Sequence, residues 1–324
     1  MQSTIKIGTR ESELAVWQAT QVQQQLSIHG IQAELVFIKS EGDIDLQTPL
    51  YEMGVQGIFT RSLDMALLNR KIDIAVHSMK DVPTQLPHGI VQAAVLKRGN
   101  YKDLLVYKPE LDSVKQCLGG MNDTLPTHYP SLTIATSSVR RKAQWLNKFP
   151  THRLENLRGN VNTRMKKLSE SSWNGAIFAA AGLERIELRP SNAVELDWML
   201  PAPAQGAIVI VCREEEPAIA TACALLNDDE TAICVKIERD FLRALMGGCS
   251  TPISALAELV QSEISGKKEL FFRGNLLNVD GSRKIEIEKF VPLEHQVNIG
   301  AALAAEIFND GGQAILDELH TNEN

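Results

Sequence analysis

Lys80 and Asp81 stand side by side at the end of an apolar run. The stretch DIAVHSMKDVP (73–83) opens on Ile74, Ala75 and Val76, turns polar at His77 and Ser78, and is stopped by Pro83. A buried strand that ends in an amine and a carboxylate can steer a proton or steady a positive charge that develops on a substrate. Taken alone, a Lys-Asp neighbour pair reads as a structural ion pair. Its company changes the reading, because polar side chains gather at the ends of other expected strands. These are Arg10 and Ser12 in IGTRES, Thr136, Ser138, Arg140 and Arg141 in IATSSVRR, and Arg158 in LRGN, with Arg164 about one helical turn further on. In open parallel sheets, ligands bind beyond the carboxyl ends of the strands.

Residues 140–167 hold nine Lys or Arg and one acid, Glu155, inside a chain of net charge −7. Lys142, Lys148, Lys166 and Lys167 read as a solvated helix face. Arg140, Arg141, Arg158 and Arg164 fall at or near expected helix N-termini, where the helix dipole disfavours cations. Cations placed there make sense around a bound anion, and the arginine fork suits carboxylates. Each charge-assisted hydrogen bond contributes on the order of 1.5–3 kcal/mol, so several together can hold a polycarboxylate. Cys249 follows Gly247 and Gly248 and precedes Ser-Thr-Pro. Paired glycines let the backbone turn tightly and leave a thiol uncovered, which suits a reactive or modified cysteine.

These residues need a scaffold. Residues 1–96 alternate strand and helix: TIKIG, a helix with Ala15, Ala19, Val22 and Leu26 on one stripe, AELVFIKS, a loop TPLYEMGVQG, a helix with Ile58, Leu63, Ala66 and Leu67 inward, and KIDIAV. The pattern predicts a mostly parallel sheet covered on both faces. A second round runs through KDLLVY, an irregular breaker-rich insertion (109–130), LTIATSS, a helix burying Val139, Ala143, Leu146 and Phe149, HRLENL, NVNTRMKKLSES and NGAIFAAAGL. The two rounds resemble each other, a hint of duplication. LPAPAQGAIVIVC then gives a late strand that can return to the first sheet. Beyond residue 229 come a helix, a hairpin turning at Asp280-Gly281, and a last helix over 293–309. The expected divisions are 1–96 with 207–224, then 102–200, then 229–324. The fold class is α/β in three domains: two similar lobes and a small C-terminal α+β domain.

Composition narrows the function. The chain has 324 residues, 44% hydrophobic and 23% charged, in keeping with a soluble globular protein. The negative charge and the lack of stacking aromatics beside the arginines argue against a nucleic-acid partner. No apolar run reaches membrane-span length and no secretory leader is visible, so no membrane role is expected. Five cysteines do not make a disulfide framework, and Cys212, Cys223 and Cys234 read as small buried hydrophobes in a reducing cytoplasm. No zinc-ligand spacing, P-loop or GxGxxG occurs, so neither a metal nor a nucleotide is expected.

VHSMKDVP, TSSVRR, LRGNVNTR, AQGAI and GGCSTPI, in that order, resemble the porphobilinogen deaminase (hydroxymethylbilane synthase) family over essentially the whole chain. The resemblance implies two lobes like those of type II periplasmic binding proteins beside the small C-terminal domain, and a cytoplasmic, monomeric transferase of porphyrin and tetrapyrrole (heme) biosynthesis. It would join porphobilinogen units head to tail into hydroxymethylbilane with release of ammonia, on a dipyrromethane cofactor held by thioether to Cys249. Asp81 matches the family's catalytic aspartate, placed to stabilise the cationic azafulvene left when ammonia departs. Lys80, Ser78, Arg10, Ser12, Arg140, Arg141, Arg158 and Arg164 match carboxylate-binding positions. Thr136, Ser138, Gln205 and Gly206 fall in cleft motifs, and Arg185 in AGLERI matches another cleft arginine. Ala204 stands where the family generally has glycine, Gln56 where lysine is common, and Met246 where an acid is common. Two rivals remain at this point: a two-lobed protein that only binds a carboxylate ligand, and an RNA binder using residues 140–167.

Overall fold

The structure is a computed structural model and describes residues 4–39, 60–120, 131–246, 251–261, 266–293 and 298–321. Its first sheet contains β1 (Ile5–Thr9), β2 (Ala33–Phe37), β3 (Ile74–Ser78) and β4 (Ile90–Val95), covered by α1 (Glu13–Ile28) and α2 (Arg61–Leu68). The chain then crosses into a second sheet built from β5 (Asp103–Tyr107), β6 (Thr133–Ala135), β7 (Arg153–Glu155), β8 (Gly175–Ala179) and β9 (Ala193–Glu195). The helices among these strands are α3 (Lys115–Gly119), α4 (Val139–Lys148), α5 (Val161–Glu170) and α6 (Ala180–Glu184). The chain crosses back as β10 (Ile208–Arg213), continues through α7 (Pro217–Ala224), and enters the long α8 (Asp229–Ala244). The remaining elements are β11 (Ile253–Gln261), β12 (Lys268–Leu277), β13 (Lys284–Pro292), α9 (Ile299–Ile307) and α10 (Gln313–Thr321).

The two larger sheets have one plan. Their orders are β2-β1-β3-β10-β4 and β7-β6-β8-β5-β9. In each, the first three strands are parallel. In each, the fourth runs antiparallel to both neighbours. That fourth strand is the one by which the chain enters from the other lobe. Position by position, β1, β3 and β10 correspond to β6, β8 and β5, so the repeat hinted at by the sequence extends to strand order. Two crossing segments, 96–102 and 196–207, join the lobes. The parallel strands of each lobe therefore end toward the same side, where the helices that follow them begin.

Both faces of the first sheet are buried. Ile7, Ile74, Val76 and Ile210 pack with α1, whereas Ala75, Val209 and Val211 pack with Leu63 and Leu67 of α2 and Val235 of α8. Fully buried strands of this kind read as continuous apolar runs, as Ile208–Cys212 does. The third sheet, β11-β12-β13, is antiparallel and packs one face on α8 and α9 through Phe241, Phe272, Leu276 and Leu303. Its hairpin turn presses on α4: a Cβ on Gly281, at φ +73°, would lie 2.4 Å from the Ala143 carbonyl oxygen, so only glycine fits there.

Several local expectations change. In α4 Trp145 is fully buried alongside Ala143, while Leu146 is half-buried, because Trp145 packs among Phe149, His152 and Trp198. The insertion is regular in part: a 3₁₀ turn over Pro109–Val114 and α3 bury Leu111 and Leu118 in the second lobe's core. AAGLE is a helix rather than the end of a strand. β11 adds a strand beside the hairpin, and the chain kinks at Gly311, φ +97°, into α10, which the sequence reading did not foresee. The expected loop at 48–57, including Gln56, and Cys249 lie outside the described residues, as does Ile58.

Candidate active site

The corner after β3 is a three-residue 3₁₀ turn, Met79–Asp81, closed by Pro83. Ser78 ends the strand, and its hydroxyl accepts from Gln18 Nε2 of α1 at 2.8 Å. Gln18 is buried where an amphipathic reading of α1 would place Ala15, so one polar side chain of the helix is spent on holding the end of β3. Lys80 Nζ reaches the Gln205 side-chain carbonyl at 3.2 Å. Burial pushes the Lys80 ammonium down to about 8; the nearby Asp81 and Asp103 oppose this, and Arg141 and Arg140 add to it. Asp81 itself makes no hydrogen bond with a described side chain, and its charge acts on Lys80 and on Arg164.

The facing wall comes from the second lobe. Ser138 caps α4, its hydroxyl accepting from the Arg141 amide at 3.4 Å, and Thr136 Oγ1 accepts from the Ser138 amide at 3.3 Å. These caps set the first turn of α4 so that Arg140 and Arg141 both point inward, each only 5% exposed. Asp103, at the start of β5 and fully buried, takes both of them. Its Oδ2 lies 2.8 Å from Arg140 Nη1, and its Oδ1 accepts from Arg141 Nε at 3.0 Å and Nη2 at 2.7 Å. Arg140 Nη1 also donates to the Leu200 carbonyl and Arg141 Nη1 to the Ile177 carbonyl. Burial alone would raise the Asp103 carboxyl, but the two guanidiniums hold it well below the usual carboxylate range. Arg164, in the first turn of α5, donates Nε to the Gly159 carbonyl. Burial brings it down to about 10, with Arg141 adding, Asp81 opposing and Arg158 adding. Lys80, Asp81, Arg140, Arg141, Arg158 and Arg164 therefore share one electrostatic neighbourhood.

Gln205 joins the two walls. Its amide nitrogen donates to Asp103 Oδ1 at 2.9 Å and to the Tyr101 carbonyl at 2.7 Å while its oxygen accepts from Lys80. Gly206 follows at φ +88°, and a Cβ there would lie 2.8 Å from the Gly99 carbonyl oxygen of the other crossing segment. Arg185 is placed beside these crossings rather than at a strand end. It donates to the Gly206 carbonyl at 2.6 Å, lies over the Trp17 ring at 5.6 Å, and is brought to about 10 by burial. Arg10 follows β1, and after burial its charge is the second cause that lowers the buried His77 to about 4. Ser12 caps α1 without a side-chain cap bond.

Three charged residues central to this arrangement were not singled out in the sequence. Glu238 of α8 is fully buried. It accepts from Arg98 at 2.6 and 3.1 Å, from the Ala204 amide at 2.6 Å and from the Ala257 amide at 2.8 Å, so it ties both crossing segments to β11. A signal existed: Glu238 continues the buried stripe of Thr231, Cys234, Val235 and Phe241. Asp103 carries the same kind of signal, an acid heading the wholly buried strand DLLVY. Arg98 shows none, since it sits in a polar segment.

Two observations fit a polycarboxylate ligand in this cleft. Five of the named cations (Lys80, Arg140, Arg141, Arg158 and Arg164) face two carboxylates, Asp81 and Asp103. Moreover, Arg140 Nε is buried with no hydrogen-bond acceptor among the described residues, a donor that is costly to leave unused. Among the described residues no group of His, Cys, Asp and Glu is arranged to hold a metal, and no helix is long and apolar enough to cross a membrane.

Residues 5–221 match the family model for the porphobilinogen deaminase dipyrromethane cofactor binding domain, and residues 232–309 match that for the porphobilinogen deaminase C-terminal domain. The chain is 37% identical to the porphobilinogen deaminase of Desulforamulus reducens over 100% of both chains. It is 38% identical to that of Syntrophotalea carbinolica over 98% of this chain and 96% of that one, and 36% identical to that of Pelobacter propionicus over 98% of each.

Proposed function

The chain belongs to the porphobilinogen deaminase family, and from that premise we propose that Asp81 is the acid group of its reacting centre and that the cations around it grip carboxylates. The enzyme, a hydroxymethylbilane synthase, joins porphobilinogen units head to tail into a linear tetrapyrrole with release of ammonia. The full-length kinship sets aside a protein that only binds its ligand. The observation that carries the assignment is the Asp81 carboxylate, held at a strand end within reach of Lys80 and Arg164 and bonded to no described side chain.

When bound, dipyrromethane supplies the pyrrole carbon from which the chain grows. Lys80, Arg140, Arg141, Arg158, Arg164 and Arg10 would hold the acetate and propionate groups of that primer and of the incoming unit. Ser12, Ser78, Thr136 and Ser138 would serve as neutral hydrogen-bonding groups. The Asp81 carboxylate would face the pyrrole N–H, stabilise the positive charge that builds as ammonia departs, and accept a proton during carbon–carbon bond formation. Lys80 and Arg164 steer the carboxylate without neutralising it in a tight pair. Gln205 and Gly206 keep the two walls in register, and Arg185 braces the crossing segments. Cys249 is assigned as the attachment point; it lies on the link between α8 and β11. The division into 1–96 with 207–224, 102–200 and 229–324 is part of the same reading. So is a cytoplasmic monomer, supported in compartment by the buried thiols of Cys212, Cys223 and Cys234.

The test is direct. Intact-mass measurement is expected to show protein heavier than its sequence by a dipyrromethane, and acidic Ehrlich's reagent to colour it. Cys249→Ala is expected to lose both signals. Asp81→Asn is expected to keep the mass and to lose about 10²–10⁴-fold in kcat, the range for a removed acid–base group. Normal turnover in Asp81→Asn overturns the assigned role.

A further inference from the structure

The turn that carries Asp81 is short. It has one internal bond, from the Val82 amide to the Met79 carbonyl at 3.2 Å, and it hangs from the end of the second crossing segment by the Met79 amide on the Ala207 carbonyl. A single 3₁₀ turn of this kind is weak by itself. What completes it comes from the C-terminal unit. Arg239 of α8 donates Nη1 to the Met79 carbonyl at 3.2 Å and to the Val82 carbonyl at 2.9 Å, and Nη2 to the Pro83 carbonyl at 2.6 Å. The three acceptors bracket Asp81 on both sides in sequence.

Arg239 has no carboxylate of its own among the described residues. The nearest acid on its helix, Asp240, pairs with Lys236 and, at 3.2 Å, with Arg243. The whole fork of Arg239 is therefore given to backbone oxygens of the turn. The preceding residue, Glu238, faces away from it by the rotation between neighbours in a helix, and fixes the crossing segments. Helix α8 thus grips the lobe connections with one residue and the turn with the next. It then runs on to Met246, directly before the 247–250 link that contains Cys249.

We infer that Arg239 is a positioning residue for Asp81: its guanidinium fork locks the Met79–Pro83 backbone to α8, so that the acid group is placed by the same helix that leads into the cofactor-attachment link. The inference rests on the assignment of Asp81 as the reacting carboxylate. A planar fork is needed because the acceptors are spread along the turn, and a lysine ammonium presents its donors from a single point.

The experiment compares holoenzyme carrying Arg239→Gln, Arg239→Lys and, as a reference, Asp81→Asn. Measured are intact mass, kcat and KM for porphobilinogen, and amide hydrogen exchange in the peptide spanning the turn. Arg239→Gln is expected to keep its pyrrole mass and its KM, to exchange faster at the turn, and to lose about tenfold or more in kcat, since misplacement by about 1 Å can cost 10²-fold. Arg239→Lys is expected to fall between Gln and wild type in both kcat and exchange. Wild-type kcat in both variants, or a kcat loss matched by an equal loss of bound pyrrole, overturns the inference. If Asp81→Asn turns over normally, it is the assignment of Asp81 that falls; if Asp81→Asn is inactive while Arg239→Gln is normal, only the role of Arg239 does.

Discussion

The ends of β3 and β8 occupy the same place in two sheets of one plan, yet they carry different chemistry. β3 runs into Ser78, Met79, Lys80 and Asp81; β8 runs into Ala179, Ala180, Ala181 and Gly182. The contrast reverses at β1 and β6. After β1 stand Arg10 and a Ser12 whose hydroxyl caps nothing, whereas after β6 the Ser138 cap is engaged and Arg140 and Arg141 are buried against Asp103. One scaffold has been used twice: the first lobe leaves Asp81, the proposed reacting carboxylate, bonded to no described side chain, and the second fixes Arg140 and Arg141, the proposed gripping cations, on Asp103. A group that must respond to a developing charge is best left unpaired by its own protein. Groups that bind a fixed charge lose less on binding if they are already held.

The largest way to break this comparison is to remove the holder. Asp103→Asn leaves two buried guanidiniums without a carboxylate, and stripping one partner from a buried pair costs on the order of 3–5 kcal/mol. The variant is expected to melt well below wild type and to carry little or no dipyrromethane by intact mass. Wild-type melting with full loading would mean that Arg140 and Arg141 need no fixing, and the division between a held lobe and a free one would fail.

This residue also marks where sequence reasoning stops. Asp81, Lys80 and the four strand-end arginines were legible because each stands at a local boundary between an apolar run and a helix start, and boundaries are written in neighbouring residues. Asp103, Glu238 and Arg98 act through partners on other elements, some more than a hundred residues away, as in Arg98 with Glu238 and Gln205 with Asp103. Asp103 and Glu238 stand out fully only once their burial is known, and burial follows from the tertiary fold. Fold elements divide in the same way. Strands β1, β2, β3, β5, β6, β8 and β10 follow from apolar runs of the right length, whereas the edge strands β4 and β9 are not among those read from the sequence. Trp145 displaced Leu146 from the core because of an aromatic cluster assembled from four separate positions, Trp145, Phe149, His152 and Trp198. Helix α10 was missed because Gly311-Gly312 reads as a stop, yet the chain uses it as a kink.

Lys80 sharpens the comparison from the first lobe's side. Its ammonium, brought down to about 8 by burial, releases its proton earlier than an unfolded lysine at about 10.4. Between those values the unfolded chain binds more protons, so the empty cleft gains stability as pH rises through that window. Ligand binding runs the other way, because a neutral amine cannot hold a carboxylate as an ion pair. Uptake of porphobilinogen-derived pyrrole by apoprotein is expected to weaken as pH climbs through about 8. In Lys80→Arg the dependence is expected to flatten, since a guanidinium stays charged. Parallel pH profiles for the two proteins would show that Lys80 is not among the gripping cations.

The smallest expected effect lies at the link between the lobes. Ala204 is buried with φ +62°, a left-handed conformation that costs a non-glycine residue about 1–2 kcal/mol. Ala204→Gly relieves that strain. It also gives the unfolded chain more freedom, worth about 0.4–1 kcal/mol, and removes a buried methyl worth about 0.8 kcal/mol. The contributions nearly cancel, so the melting temperature is expected to move by no more than about 2–4 °C in either direction. Turnover is expected to stay the same, because Gln205 next door is held by Lys80, Asp103 and the Tyr101 carbonyl, and the Ala204 amide keeps Glu238. A clear change in kcat at unchanged stability would mean that the backbone at 204 moves during the reaction. The two lobes would then differ in what they carry and also in when they meet, with Gln205 acting as a latch that opens between additions rather than a fixed bridge.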